Sequence, residues 1–110
     1  MSESIDVELT TEAREQALLL LANSSIATPT LCLMKGRASY DTEDRWRWGI
    51  YGPDNISQVT SDLARVGYGL LYDFAGFKVA IPQPQLLPEL LGKTLQVGRH
   101  GLIVVNRDGA

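Results

Sequence analysis

Three prolines within seven residues, Pro82, Pro84 and Pro88, do most to limit what this chain can fold into. Each removes an amide donor and fixes φ, so no long helix fits between Ile81 and Gly92. One or two helical turns carrying Leu86, Leu87, Leu90 and Leu91 remain, ended by Gly92 as a C-cap. On either side the hydrophobic period is two. Phe77, Val79 and Ile81 share a face, and Lys93–Val97 and Leu102–Val105 read as strands around a turn flanked by Gly98 and Gly101. Gly76–Val105 is therefore a strand, a short leucine-rich turn and two more strands.

The rest of the chain adds one clear helix. Ile5, Val7 and Leu9 alternate with Asp6 and Glu8 as a half-buried strand does. Thr10 or Thr11 then offers an N-cap hydroxyl, and Glu12 and Glu15 suit the positive end of a helix dipole. Ala13, Ala17, Leu20 and Leu21 form the inward stripe, and Leu19 falls on the opposite side. The helix should end near Asn23–Ser25, before Pro29. Thr30–Lys35 is apolar on both sides, as in a strand covered on both faces. Arg45–Tyr51 alternates, with Trp46, Trp48 and Ile50 on one face and Arg45 and Arg47 on the other. Gly52–Asn55 reads as a turn and Ile56–Val59 as a short strand or loop. Leu70, Leu71, Tyr72 and Phe74 make the Gly69–Phe74 segment a further strand candidate.

Bulk properties fit one small domain over residues 1–110, without linker or repeat. A net charge of -3 offers no broad attraction for a phosphate backbone, so nucleic acid is not an expected partner. The apolar run Ala17–Ala22 is too short to span a bilayer. Acidic residues (Glu3, Asp6, Glu8, Glu12, Glu15) precede it where a signal peptide needs positive charge. A cytoplasmic location with no membrane partner is the expectation, and a lone cysteine, Cys32, suits a reducing compartment.

Gly76–Val105 resembles the C-terminal half of the A-type iron–sulfur carrier (HesB-like) family. The opening IDVELTTEAREQALLLLAN resembles that family's first strand and helix, and TLCLMKG its next strand. The resemblance implies a mostly β (α+β) fold, a HesB-like β domain with one N-terminal helix and one short helix near residues 86–91. It also implies a site in the loop Gly36–Asp44, where the family carries its first cysteine. This chain reads Gly36-Arg37-Ala38-Ser39-Tyr40 there, and Asn106–Ala110 holds no Cys-x-Cys. The departures fall on the ligands, and the apolar framework stays.

Ligand counting then limits the chemistry. A cluster needs four thiolates, or two thiolates and two imidazoles. One chain has one of each, Cys32 and His100, so an iron–sulfur or zinc site requires a homodimer sharing both. Cys32, between Leu31 and Leu33, instead reads as a small buried apolar residue, and His100 as a turn residue. An acid–base site using the acidic stretch Asp41–Asp44 is a weaker alternative, because carboxylates in a polar connection are usually solvated. No P-loop, GxGxxG or nucleophile–histidine–acid spacing is present. Trp46 and Trp48 point away from Arg45 and Arg47, so core packing is favoured over stacking on single-stranded nucleic acid. The leading expectation is a non-catalytic domain without metal or cofactor that binds a protein or a small ligand. Arg37, Ser39, Asp41, Arg45 and Arg47 are its candidate partner surface.

Overall fold

The computed structural model describes residues 3–37, 43–99 and 101–106. The fold is mostly β, of the α+β class, as expected. Its strands are β1 (Glu3–Ser4), β2 (Val7–Leu9), β3 (Thr30–Gly36), β4 (Arg45–Tyr51), β5 (Leu71–Phe74), β6 (Phe77–Ala80), β7 (Lys93–Val97) and β8 (Leu102–Asn106). Helices α1 (Thr11–Ala22) and α2 (Pro53–Ala64) and a 3₁₀ helix, Pro84–Glu89, complete it.

All eight strands form one sheet in the order β1-β5-β6-β3-β4-β8-β7-β2. The two edge strands are neighbours in sequence, separated by Ile5 and Asp6 alone. Ser4 and Val7 can thus lie at most about 11 Å apart, and the sheet must roll until its edges meet at this stretch of chain. β1 pairs in parallel with β5, β2 in parallel with β7. The link is also bonded to both sides: Ile5 N–H donates to the Asp73 carbonyl at 3.0 Å, and Gly92 N–H to the Asp6 carbonyl at 2.7 Å.

Residue alternation sends the two sheet faces into two cores. Leu31, Leu33, Trp46, Val79, Leu95 and Leu102 meet Ala13 and Ala17 of α1 in the larger one. The Thr10 hydroxyl caps α1 by accepting from Ala13 N–H at 3.2 Å, and Asn23 closes it, as the sequence indicates. Alanine at both inward positions lets α1 approach β2, β3, β4 and β7 closely. The 3₁₀ helix adds Leu86, Leu87 and the fully buried Leu90 to the same core. Full burial of a leucine or isoleucine here stabilises by about 1.5–3 kcal/mol.

The second core lies on the other face, and the sequence reading missed its cover. Residues 52–64 are not a turn followed by a strand or loop. Gly52 is an N-cap, Pro53 occupies the first helical position, and Asn55 Oδ1 accepts from Gly52 N–H at 3.2 Å. Ile56, Val59 and Leu63 then share one helical face and pack on Cys32, Leu70 and Ala80. A Schellman closure ends α2: Gly67 stands at φ +84°, its N–H donates to Ala64 O, and Tyr68 N–H donates to Leu63 O. The described residues therefore hold two 12-residue α-helices and a 3₁₀ helix, against the one long and one short helix expected.

Two contacts hold β3 in place. Beyond its Cys32↔Ala80 pairing with β6, the Gln83 side-chain amide takes over the ladder. Its Nε2 donates to Lys35 O at 2.8 Å, and its Oε1 accepts from Lys35 N–H at 2.7 Å. On the β4 side, Cys32 faces Gly49. A Cβ at Gly49 would stand 3.0 Å from Cys32 Sγ and 3.3 Å from Met34 Cε. Gly49→Ala should therefore cost about 1–3 kcal/mol by overpacking. Cys32→Ala in the same molecule should remove most of that cost, so urea unfolding of the two single variants and the double variant should show strong non-additivity. Additive losses would rule out this contact as the cause.

Candidate functional site

Cys32 is the residue type on which the metal readings rest, and its surroundings suit packing. It is fully buried beneath α2. Burial pushes the thiol up to about 11 from 9.0, outweighing a hydrogen bond from the Gly49 backbone that pulls the other way. Tyr51, whose hydroxyl points to Met34 Sδ at 3.6 Å, is also raised, by burial first and the Cys32 charge second. The thiol is thus neutral at ordinary pH and not presented to a second chain. His100, its proposed partner, lies outside the described residues, as do Ser39 and Asp41. Among the described residues, no three His, Cys, Asp or Glu side chains gather as a metal site would require. No helix among them is long and apolar enough to cross a membrane.

The candidate surface residues separate. Arg37 is exposed, with its Nε 3.5 Å from Asp44, and Arg45 Nη2 lies 3.2 Å from Glu43. The Arg37–Asp44 pair joins the ends of the connection between β3 and β4, and the Arg45–Glu43 pair lies at its β4 end. Between the exposed Arg37 and Asp44 the pair contributes on the order of 0–1 kcal/mol. Arg47 behaves differently. It is half-buried and lines two cavities, sharing both with Trp48.

The larger cavity holds about 590 Å³. It opens beside the β4–β8 joint, which among the described residues is the pair Trp46↔Leu102. Beyond that pair, the β7–β8 turn supplies Gly98, Arg99 and Gly101, and β4 supplies Arg47 and Trp48. The last turns of α1 form the opposite wall with Gln16, Leu19, Leu20 and Asn23. Gly101 makes this close approach feasible. Its φ is +149°, and a Cβ would lie 2.8 Å from the Trp46 carbonyl oxygen. The smaller cavity, about 330 Å³, lies toward Met34, Lys35, Gly36, Arg37 and Gln83.

Trp46 and Trp48 share a strand face, as the alternation indicates, and both join the main core. Trp46 is 3% exposed; Trp48 is only partly covered because it stands at the cavity wall. Its Nε1–H is closed off from solvent and meets no acceptor among the described residues. A buried donor left unpaired costs about 1–3 kcal/mol.

The cavity itself was not legible as a site. Sequence reading placed Leu19 outward and Arg99 in a turn; only the position of the β7–β8 turn against the end of α1 brings them to Trp48. Arg47, a candidate surface residue in the sequence, is half-buried and lines the cavity. Comparison with models of protein families, with curated proteins and with solved structures returns no match.

The raised Cys32 pKa gives a pH test. The unfolded thiol ionises from about pH 9, whereas the folded thiol stays protonated up to about 11. The unfolded state thus loses its proton first, and the thiol's contribution to stability is complete below pH 9 and declines toward 11. Urea midpoints of the wild type and Cys32→Ala should converge over that window. Parallel curves, or modification of Cys32 by thiol reagents in the native protein, would contradict the burial assigned to it.

Proposed function

We propose that this chain is a non-catalytic HesB-like domain that works by binding a small ligand in the cavity between the end of α1, β4 and the β7–β8 turn. The observation that carries the reading is the wall made by Arg47 and Trp48, a half-buried cation beside an indole whose donor lacks an acceptor. Small-molecule sites are concave, mainly apolar and some 300–1,000 Å³ in size, with a few placed polar groups. Leu19, Leu20, Leu102 and the Trp48 ring supply the apolar lining, and Gln16, Asn23 and the arginines the polar groups.

The small-ligand reading is favoured over a protein partner docking on the arginine-bearing loop. Arg37 and Arg45 already have acidic neighbours in their own chain, Asp44 and Glu43. A partner would have to displace these pairs to use them. Arg47 instead lines both cavities, which are concave as a small-molecule site is. A buried, protonated Cys32 likewise favours binding over thiolate chemistry, since the thiolate is the nucleophile and the metal ligand.

The test uses 8-anilinonaphthalene-1-sulfonate as the probe and ¹H–¹⁵N correlation spectra as the readout. The chain has two tryptophans, hence two indole N–H signals. Titration should be saturable at one site, with the Trp48 signal moving and that of buried Trp46 nearly still. Absence of saturable binding, or shifts that spare Trp48, would refute this site.

A further inference from the structure

We infer that two copies of this chain pair through the outer face of α1, and that Leu18 of each closes the mouth of the other's cavity. The inference deepens the binding reading and rests on it only for what the closure encloses. Leu18 is 49% and Leu19 62% exposed, on a helix whose opposite side is core. Exposed apolar residues scattered singly are ordinary, whereas a contiguous pair beside a concave wall marks a contact surface. Leu19 stands between two hollows. One is the 590 Å³ cavity, which α1 lines with Gln16, Leu20 and Asn23 as well; the other, about 430 Å³, is lined by Glu15, Leu18, Leu19 and Ala22. At about 100° of turn per residue, Gln16, Leu20 and Asn23 fall on one flank of Leu19, and Glu15, Leu18 and Ala22 on the other.

The two flanks also differ in charge, and this selects the occupant. Glu15 marks the Leu18 flank, and Arg99 stands at the cavity on the other. Both are exposed, and neither forms an ion pair among the described residues. A twofold axis through Leu19, normal to the surface, exchanges the flanks. It brings Glu15 of each copy to the Arg99 side of the other, and lays Leu18 over the opposing cavity mouth. An isologous contact needs a patch that complements itself, and an acid and a base on opposite sides of an apolar centre provide one. A foreign partner would have to supply that same arrangement, which a second copy already carries. Small-molecule sites enclose most of their ligand, and a helix across the mouth gives this open cavity that enclosure.

Sedimentation velocity of the whole protein without any ligand, from about 10 µM to about 1 mM, tests the pairing. The apolar strip is small, so a weak dimer with a Kd inside that range is expected. Leu18→Gln, at an exposed position outside the cavity, should weaken association about tenfold or more, since each dimer loses two buried leucines. Glu15→Arg and Arg99→Glu should each weaken it as well, and the two together should restore it. A wild type that stays monomeric at about 1 mM, or charge reversals whose losses add in the double variant, would overturn the pairing. Titration with the anilinonaphthalene dye then tests the closure: its affinity should fall severalfold in Leu18→Gln, with Trp48 still reporting the site. Unchanged dye affinity in that variant would overturn the closure and leave the pairing. A dimer without a saturable dye site would refute the binding reading and the closure together, again leaving the pairing.

Discussion

Residues 3–10 hold both edges of the sheet at once. Ile5 N–H bonds to β5 through the Asp73 carbonyl, the Asp6 carbonyl accepts from Gly92, and Thr10 N–H donates to Leu95 of β7 at 3.0 Å. An eight-stranded sheet would otherwise present two rows of unpaired backbone groups, which are costly in water and a hazard for association. Here one short segment covers both. It also fixes the start of α1, because Thr10 is bonded to β7 and caps the helix in the same residue. The direction of α1, and with it one wall of the cavity, follows from the closure.

Among the described residues two joints of the sheet each rest on a single pair, β3–β6 through Cys32↔Ala80 and β4–β8 through Trp46↔Leu102. Gly101 lets the β7–β8 turn come within reach of the Trp46 carbonyl. The cavity lies beside the second joint, against the end of α1. That position, between a strand, a turn and a helix end, explains why it combines strand-borne polar groups with leucines from α1. On the opposite face the same sheet is sealed by α2, and Cys32, packed against Gly49, is filling material there.

Local pattern made much of this legible. The alternation in Arg45–Tyr51 assigns Trp46 and Trp48 to the core, and both are there. The prolines restrict 82–91 to a short helical turn, which is the 3₁₀ helix ending before Gly92 at φ +75°. Leu31, Cys32 and Leu33 in succession indicate a strand covered on two faces, and two separate cores cover it. Helix α2 was missed because Gly52-Pro53-Asp54-Asn55 satisfies two descriptions. The same residues that favour a turn also make an N-cap, a first-turn proline and a back-reaching asparagine. The spacing of Ile56, Val59 and Leu63, with Gly67 beyond, was the signal that decides between them. The cavity had no such signal, since its walls come from residues about 30 to 80 positions apart whose meeting depends on closure.

The two tryptophans differ in their surroundings although one strand pattern places both. Both point to the same side of β4, and both satisfy the hydrophobic pattern. Trp46 sits at the one pairing with β8, where Leu102 and the strands around it enclose the ring. Trp48, two residues on, lines a cavity on one side. A core tryptophan normally finds an acceptor for its N–H or leaves it in water. Trp48 does neither, and the cation next to it in sequence, Arg47, reaches the same space from the other side of the strand. A residue that packing alone had selected would be served as well by phenylalanine, which brings no donor to satisfy.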